Sequence, residues 1–154
     1  MSGSAAGFVA QRFSPVCCGE RYTAPVRDDL IARVRGLAAA RPGLELLVLY
    51  GSRARGDVRP GSDWDFGYLA GAGFDPDGLL ADLVLALEAD AVDLVDLARA
   101  SGQLRYRAAA DARVIFEPVR GTFDGFWFEA VSYWCDMQDI IRREYDAALA
   151  RLPA

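Results

Sequence analysis

Apolar residues recur along this chain in two rhythms, three-four steps and alternation or continuous runs, and the switches between them mark the elements. Leu30, Ile31, Val34, Leu37 and Ala38 share one stripe behind Asp28 and Asp29, which predicts a helix ending at Pro42-Gly43. Leu44 to Tyr50 (LELLVLY) is then nearly all apolar, as expected of a central strand. Gly51-Ser52 open a short helix, and an Arg-rich stretch runs on to Gly61. Asp63 to Leu69 (DWDFGYL) alternates and predicts a second strand. Asp75-Pro76 supply an N-cap and a first-turn proline for a helix to about Ala89. Ala91 to Leu97 (AVDLVDL) is a third strand, and a short helix begins near Ser101. Arg113 to Glu117 (RVIFE) is a fourth strand, placed at an edge because Pro118 ends it. A long helix follows from about Asp124 to Leu152. Its Phe123, Trp127, Ala130, Trp134, Met137, Ile141, Tyr145 and Ala148 recur at three-four steps; the aromatic stripe of Phe123, Trp127 and Trp134 is expected in the core, with length to spare for an interface. Residues 1–24 show no sustained period and read as an arm, which leaves a single domain over 25–154. The expected class is α+β: one mixed four-stranded sheet flanked by helices, with a long C-terminal helix.

Composition narrows the chemistry. The 154 residues suffice for one core, and 53% apolar with 25% charged residues excludes a disordered tail or a fibre. A net charge of −5 provides no general positive field, so direct nucleic-acid binding is not expected. The chain has no histidine, and all 17 basic residues are arginine. Imidazole bases, Schiff-base chemistry and a P-loop lysine are therefore excluded. Cys17, Cys18 and Cys135 are too few for a disulfide framework or a zinc site, and reduced thiols are the default. Without a signal-peptide pattern or an apolar run of ~20 residues, a cytoplasmic location and no membrane association are expected.

Aspartate is abundant, and the informative segment is Gly51 to Asp65 (GSRARGDVRPGSDWD). A glycine and a serine opening a helix just after a buried strand set free N–H groups beside a hydroxyl, a seat for an oligophosphate. Asp63 and Asp65, two apart on a strand, point from one face with roughly 6–7 Å between their Cα atoms. Their repulsion is relieved by Mg²⁺, which takes hard oxygen ligands and commonly shares carboxylates with substrate phosphates. Two such ions serve in-line nucleotidyl transfer, which calls for a third carboxylate from a neighbouring strand. Asp93 and Asp96 are both available, and alternation alone does not choose between them.

These residues resemble a known family. Gly51-Ser52, ten intervening residues and Asp63-x-Asp65 look like the signature of polymerase-β-type nucleotidyltransferases. LYGSRARGDVRPGSDWDFGYL, with VDLVDL further on, resembles the minimal nucleotidyltransferase (MNT) branch over about residues 28–117. The resemblance implies a polymerase-β-like fold, two Mg²⁺ ions, and ATP as substrate at the Gly51-Ser52 turn. By position Asp63 and Asp65 match the metal pair and Asp93 the third catalytic carboxylate, so Asp96 reads as structural. Arg53 is the arginine expected to touch the triphosphate, while Arg55 and Arg59 read as a solvated loop. Trp64 departs from the aliphatic residue common between the two aspartates.

A short acidic chain without a substrate domain suits a protein acceptor. In MNT relatives the partner is often a HEPN-domain ribonuclease toxin, and the MNT protein is the antitoxin that adenylylates it on a tyrosine. The resemblance thus implies a hetero-complex with such a toxin. Two alternatives stand beside it: an antitoxin that acts by binding alone, and a small-molecule, aminoglycoside-type nucleotidyltransferase.

Overall fold

The computed structural model describes residues 28–149, and the arm expected over 1–24, with Cys17 and Cys18, lies outside them. Helix α1 (Asp28–Ala39) leads through β1 (Leu44–Tyr50) to the short α2 (Gly51–Arg55) and β2 (Trp64–Ala70). Then come α3 (Pro76–Leu87), β3 (Val92–Asp96), α4 (Gly102–Asp111), β4 (Arg113–Phe116) and α5 (Thr122–Leu149). The strands form one sheet in the order β3-β2-β1-β4. β1 is antiparallel to β2 and β4, while β2 and β3 run parallel, which makes the sheet mixed as expected. β2 starts one residue later than alternation suggests, so Asp63 stands just outside it.

β1 lies inside the sheet, and its apolar run, interrupted only by exposed Glu45, serves both faces. Leu47 and Leu49 pack with Ile31 and Val34 of α1 and with Leu79 and Leu83 of α3. Leu46, Val48 and Tyr50 pack on the other face with Leu97, with Ala108 and Ala109 of α4, and with Phe126 and Ala130 of α5. Burying each large side chain stabilises the fold by ~1.5–3 kcal/mol. In β2, a Cβ on Gly67 would lie 2.8 Å from Leu97, so the bare backbone lets Leu97 close over the strand.

Local chemistry starts the helices where the sequence signals them. Asp75 caps α3 by accepting from the Gly78 N–H at 3.0 Å, with Pro76 as the first helical residue. Ser101 caps α4 through the Leu104 N–H at 3.3 Å. The Glu117 carboxylate accepts from the N–H groups of Gly121 and Phe123, each at 2.9 Å, and so caps the start of α5. Replacing the α3 cap by Asp75→Ala should lower the unfolding free energy by about 1 kcal/mol, read as an earlier midpoint in urea at unchanged slope.

Helix α5 has 28 residues, about 42 Å of rise. The expected stripe holds at Ala130 and, part-buried, at Phe123, Trp134 and Met137; it fails at Trp127, and Phe126 is buried in addition. Phe126 and Ala130 enter the core, Phe123 packs at its margin, Trp134 stacks on Tyr106, and Trp127 stands 44% exposed. The reason is the partner. α4 offers small Ala108 and Ala109, against which Phe126 packs beside Ala130, while Trp127 is left outside that contact. Phe128, Tyr133 and Ile140 are exposed as well. No helix among the described residues is long and apolar enough to cross a membrane.

Candidate active site

β1 ends at Tyr50 in extended backbone, and Gly51 turns the chain into α2 with φ +73°. Tyr50 is paired across the ladder with Asp65, which brings the start of α2 against the Asp65 side chain. A Cβ on Gly51 would lie 2.3 Å from Oδ2 of Asp65 and 3.2 Å from its Cγ. Only glycine meets both the left-handed backbone and that approach. After α2, Gly56 ends the helix in the left-handed region, and the Asp57 N–H returns to the Ser52 carbonyl at 2.9 Å. A cleft of about 620 Å³ opens here, lined by Ser52, Arg55, Gly56, Asp57, Arg59 and Ser62 among others.

The register places only one of the two candidate third aspartates beside Asp65. Asp65 is paired with Asp93, and Tyr68 with Asp96. Asp65, Gly67 and Leu69 alternate onto the α4/α5 face, as do Asp93 and Leu97. Asp96 falls on the opposite face with Leu94, two strand positions or more from the Gly51 turn. There its carboxylate accepts from the Ala98 N–H at 2.9 Å and pairs with Arg99 at 3.6 Å. Asp93 therefore joins Asp65, and Asp96 does not. Asp63 flanks buried Trp64 on the side of Asp65 and is exposed at the start of the strand.

The three carboxylates act on one another. Burial, then the charges of Asp93 and Asp63, push the Asp65 carboxyl above its usual value, and Arg107 and Arg55 pull back only in part. Burial also raises the Tyr50 phenol, followed by Asp65 and Asp93, with Arg107 opposing. Among the described residues no three acidic, thiol or imidazole side chains are placed closely enough to hold a metal ion as they stand.

Arg53 does not turn to the open seat. Its Nε lies 3.1 Å from the Asp63 carbonyl and 3.2 Å from the Ser62 carbonyl, and one terminal nitrogen donates to Ser62 O at 2.6 Å. Arg55 pairs with Asp57 at 3.3 Å and with Asp111 of α4. Tyr50 and Arg107 were not singled out by the sequence. Tyr50 is hidden in the apolar run of β1, and Arg107 is one of two arginines in LRYRAAAD. Its only local signal is the four-residue step to Asp111, which puts both on the α4 face toward α2.

Comparison with known proteins follows the same outline. The family described as polymerase β, nucleotidyltransferase, matches residues 34–120, more than half of the chain. The chain belongs to the polymerase β nucleotidyltransferase family. The matched part of this nucleotidyltransferase runs from within α1 past β4, includes Gly51, Ser52, Asp63, Asp65 and Asp93, and stops before α5. Over 98 residues the chain is 33% identical to the protein adenylyltransferase MntA of Aphanizomenon flos-aquae, covering 55% of this chain and 65% of that protein. It thus spans just under two thirds of that relative's length. A toxin-antitoxin crystal structure with AMP-PNP superposes at TM-score 0.65 with 25% identity, covering 80% of this chain and 99% of that one. A complex of an MNT antitoxin with the tri-AMPylated HEPN toxin of Shewanella oneidensis gives TM-score 0.63 at 23% identity, covering 79% and 98%.

Proposed function

We propose that this nucleotidyltransferase moves AMP from ATP to a tyrosine hydroxyl of a HEPN-type toxin, and is thereby the antitoxin of a cytoplasmic toxin–antitoxin pair. One observation carries the chemistry: Asp65 and Asp93 are in register on adjacent strands, with the bare Cα of Gly51 against the Asp65 carboxylate. The likeness to MntA, a protein adenylyltransferase, and to an MNT antitoxin in complex with a tri-AMPylated HEPN toxin supports the choice of a protein acceptor.

The donor set fits Mg²⁺. It is all carboxylate oxygen, and Asp65, crowded by two like charges, gains from a neighbouring cation. Asp63, Asp65 and Asp93 would hold two ions, which when bound screen the triphosphate and lower the pKa of the acceptor hydroxyl. Gly51 and Ser52 seat the phosphates through backbone N–H groups and a hydroxyl. The acceptor oxygen attacks the α-phosphorus, a new P–O bond forms, the bond to the β-phosphate oxygen breaks, and pyrophosphate leaves. The chain holds no histidine to take the proton, and a phenol, with a pKa of about 10, needs less activation than a sugar alcohol.

The test is to incubate the chain with labelled ATP, Mg²⁺ and a HEPN toxin. Label should pass to a toxin tyrosine, and the Asp63→Asn, Asp65→Asn double variant should neither label nor neutralise. Neutralisation by that variant without labelling would make binding alone the activity. Label on an aminoglycoside without any protein acceptor would make the chain a small-molecule enzyme.

A further inference from the structure

Of the three carboxylates, Asp65 and Asp93 stand in the β-ladder, where register fixes their backbones. Asp63 does not. It precedes β2, and the chain behind it is a loop closed on itself, the Ser62 N–H donating to Arg59 O and the Arg59 N–H to Ser62 Oγ, each at 2.9 Å. On one side the segment is held by the Trp64 N–H, which donates to the Ala91 carbonyl at 3.0 Å. On the other side it is held by Arg53, whose fork grips the consecutive carbonyls of Ser62 and Asp63. The guanidinium carbon also lies 4.2 Å from the ring centroid of Trp64, a ring only 5% exposed. A planar fork over an aromatic face, with two backbone acceptors in its plane, is a geometry that lysine does not reproduce.

Arg53 belongs to the same short helix as Gly51 and Ser52, so its grip ties the phosphate seat to the start of β2. We infer that Arg53 is a positioning residue, one that sets Asp63 at a fixed place relative to Gly51-Ser52 and acts on the cation through Asp63 without touching the nucleotide. The inference deepens the proposed function and takes the identity of cation and nucleotide from it. A triphosphate that took the Nε donor would have to draw it off the Ser62 and Asp63 carbonyls.

The test uses the whole chain and two variants. Arg53→Met keeps an apolar arm over Trp64 and removes the fork, while Arg53→Lys keeps the charge with a single donor centre. Mn²⁺ alone serves as the probe, its binding followed by electron paramagnetic resonance in the absence of nucleotide. Arg53→Met should weaken Mn²⁺ binding about 10–100-fold and lower kcat for toxin labelling by a similar factor, as loss of a group that orients a metal ligand does. The KM for ATP should stay within about threefold of wild type, since no ground-state contact to the nucleotide is lost. Arg53→Lys should lie between the two. Unchanged Mn²⁺ binding overturns the inference, and so does a rise of about tenfold or more in the KM for ATP, which would mark a nucleotide contact. Should Arg53→Met fail to fold, as judged by thermal melting, Arg53→Lys decides by the same two readings. If the wild-type chain labels no toxin, the proposed function fails, while the Mn²⁺ comparison still decides what Arg53 does.

Discussion

Asp65→Asn is expected to abolish nucleotidyl transfer and, at the same time, to make the chain harder to unfold near neutral pH. The loss of activity should be about a thousandfold or more, the upper end of what removing one preorganised electrostatic group costs. The gain in stability follows from crowding. Burial and the neighbouring charges of Asp93 and Asp63 raise the Asp65 pKa, so the folded chain holds that proton to a higher pH than the unfolded chain does. Between the unfolded value near about 3.9 and the raised folded value, the folded state binds more protons. Stability therefore falls as pH rises through that window, and the full penalty persists above it. Asparagine carries no such penalty. The melting temperature of the variant should exceed that of wild type at neutral pH, and the difference should shrink to nothing as acid protonates Asp65. Added Mg²⁺ should raise the wild-type melting temperature more than that of the variant. A variant less stable than wild type at neutral pH would show that the carboxylate is held by favourable contacts, and the crowding argument would fall.

Gly51→Ala should damage both stability and catalysis, for two separable reasons. Alanine at φ +73° costs about 1–2 kcal/mol in backbone strain. Its Cβ would also overlap Oδ2 of Asp65 at 2.3 Å, so the carboxylate must swing away from the seat. A displacement near 1 Å at a reacting centre costs about a hundredfold in rate. Gly61→Ala isolates the first effect: φ is +84° there, and a Cβ would meet nothing within 4 Å. The control should lose comparable stability in urea yet label toxin at close to the wild-type rate. If Gly51→Ala labels as fast as Gly61→Ala, the contact between Gly51 and Asp65 has no part in the chemistry.

The features legible in the sequence are those written within a few residues. The nearly unbroken run LELLVLY specifies a strand covered on both faces, and Asp75-Pro76 and Ser101 start α3 and α4 where they stand. Gly51-Ser52 and Asp63-x-Asp65 are also local signals, so the turn into α2 and the acidic pair beside it could be named in advance. Choosing Asp93 over Asp96 from the residues alone required the register of β3 on β2, a relation between distant segments that alternation cannot supply. Within the α5 stripe Trp127 was misplaced and Phe126 missed, because aromatic residues stand on more than one face of that helix. Which face is buried depends on the small side chains of α4. The direction of Arg53 was equally hidden. An arginine beside a phosphate seat invites an anion, and nothing local reveals two carbonyls and an indole ring waiting nine to eleven residues downstream.

Among the described residues β3 ends the sheet on one side, and five residues, VDLVD, form its rim. An unpaired rim of valine and leucine is a template on which a foreign chain can add itself as a further strand. Asp93 and Asp96 interrupt that template on opposite faces, so any intruder must bring its own backbone up against negative charge. The aspartate proposed for catalysis is thus also half of a guard against uncontrolled self-assembly, and neutralising both would leave solubility exposed along with activity.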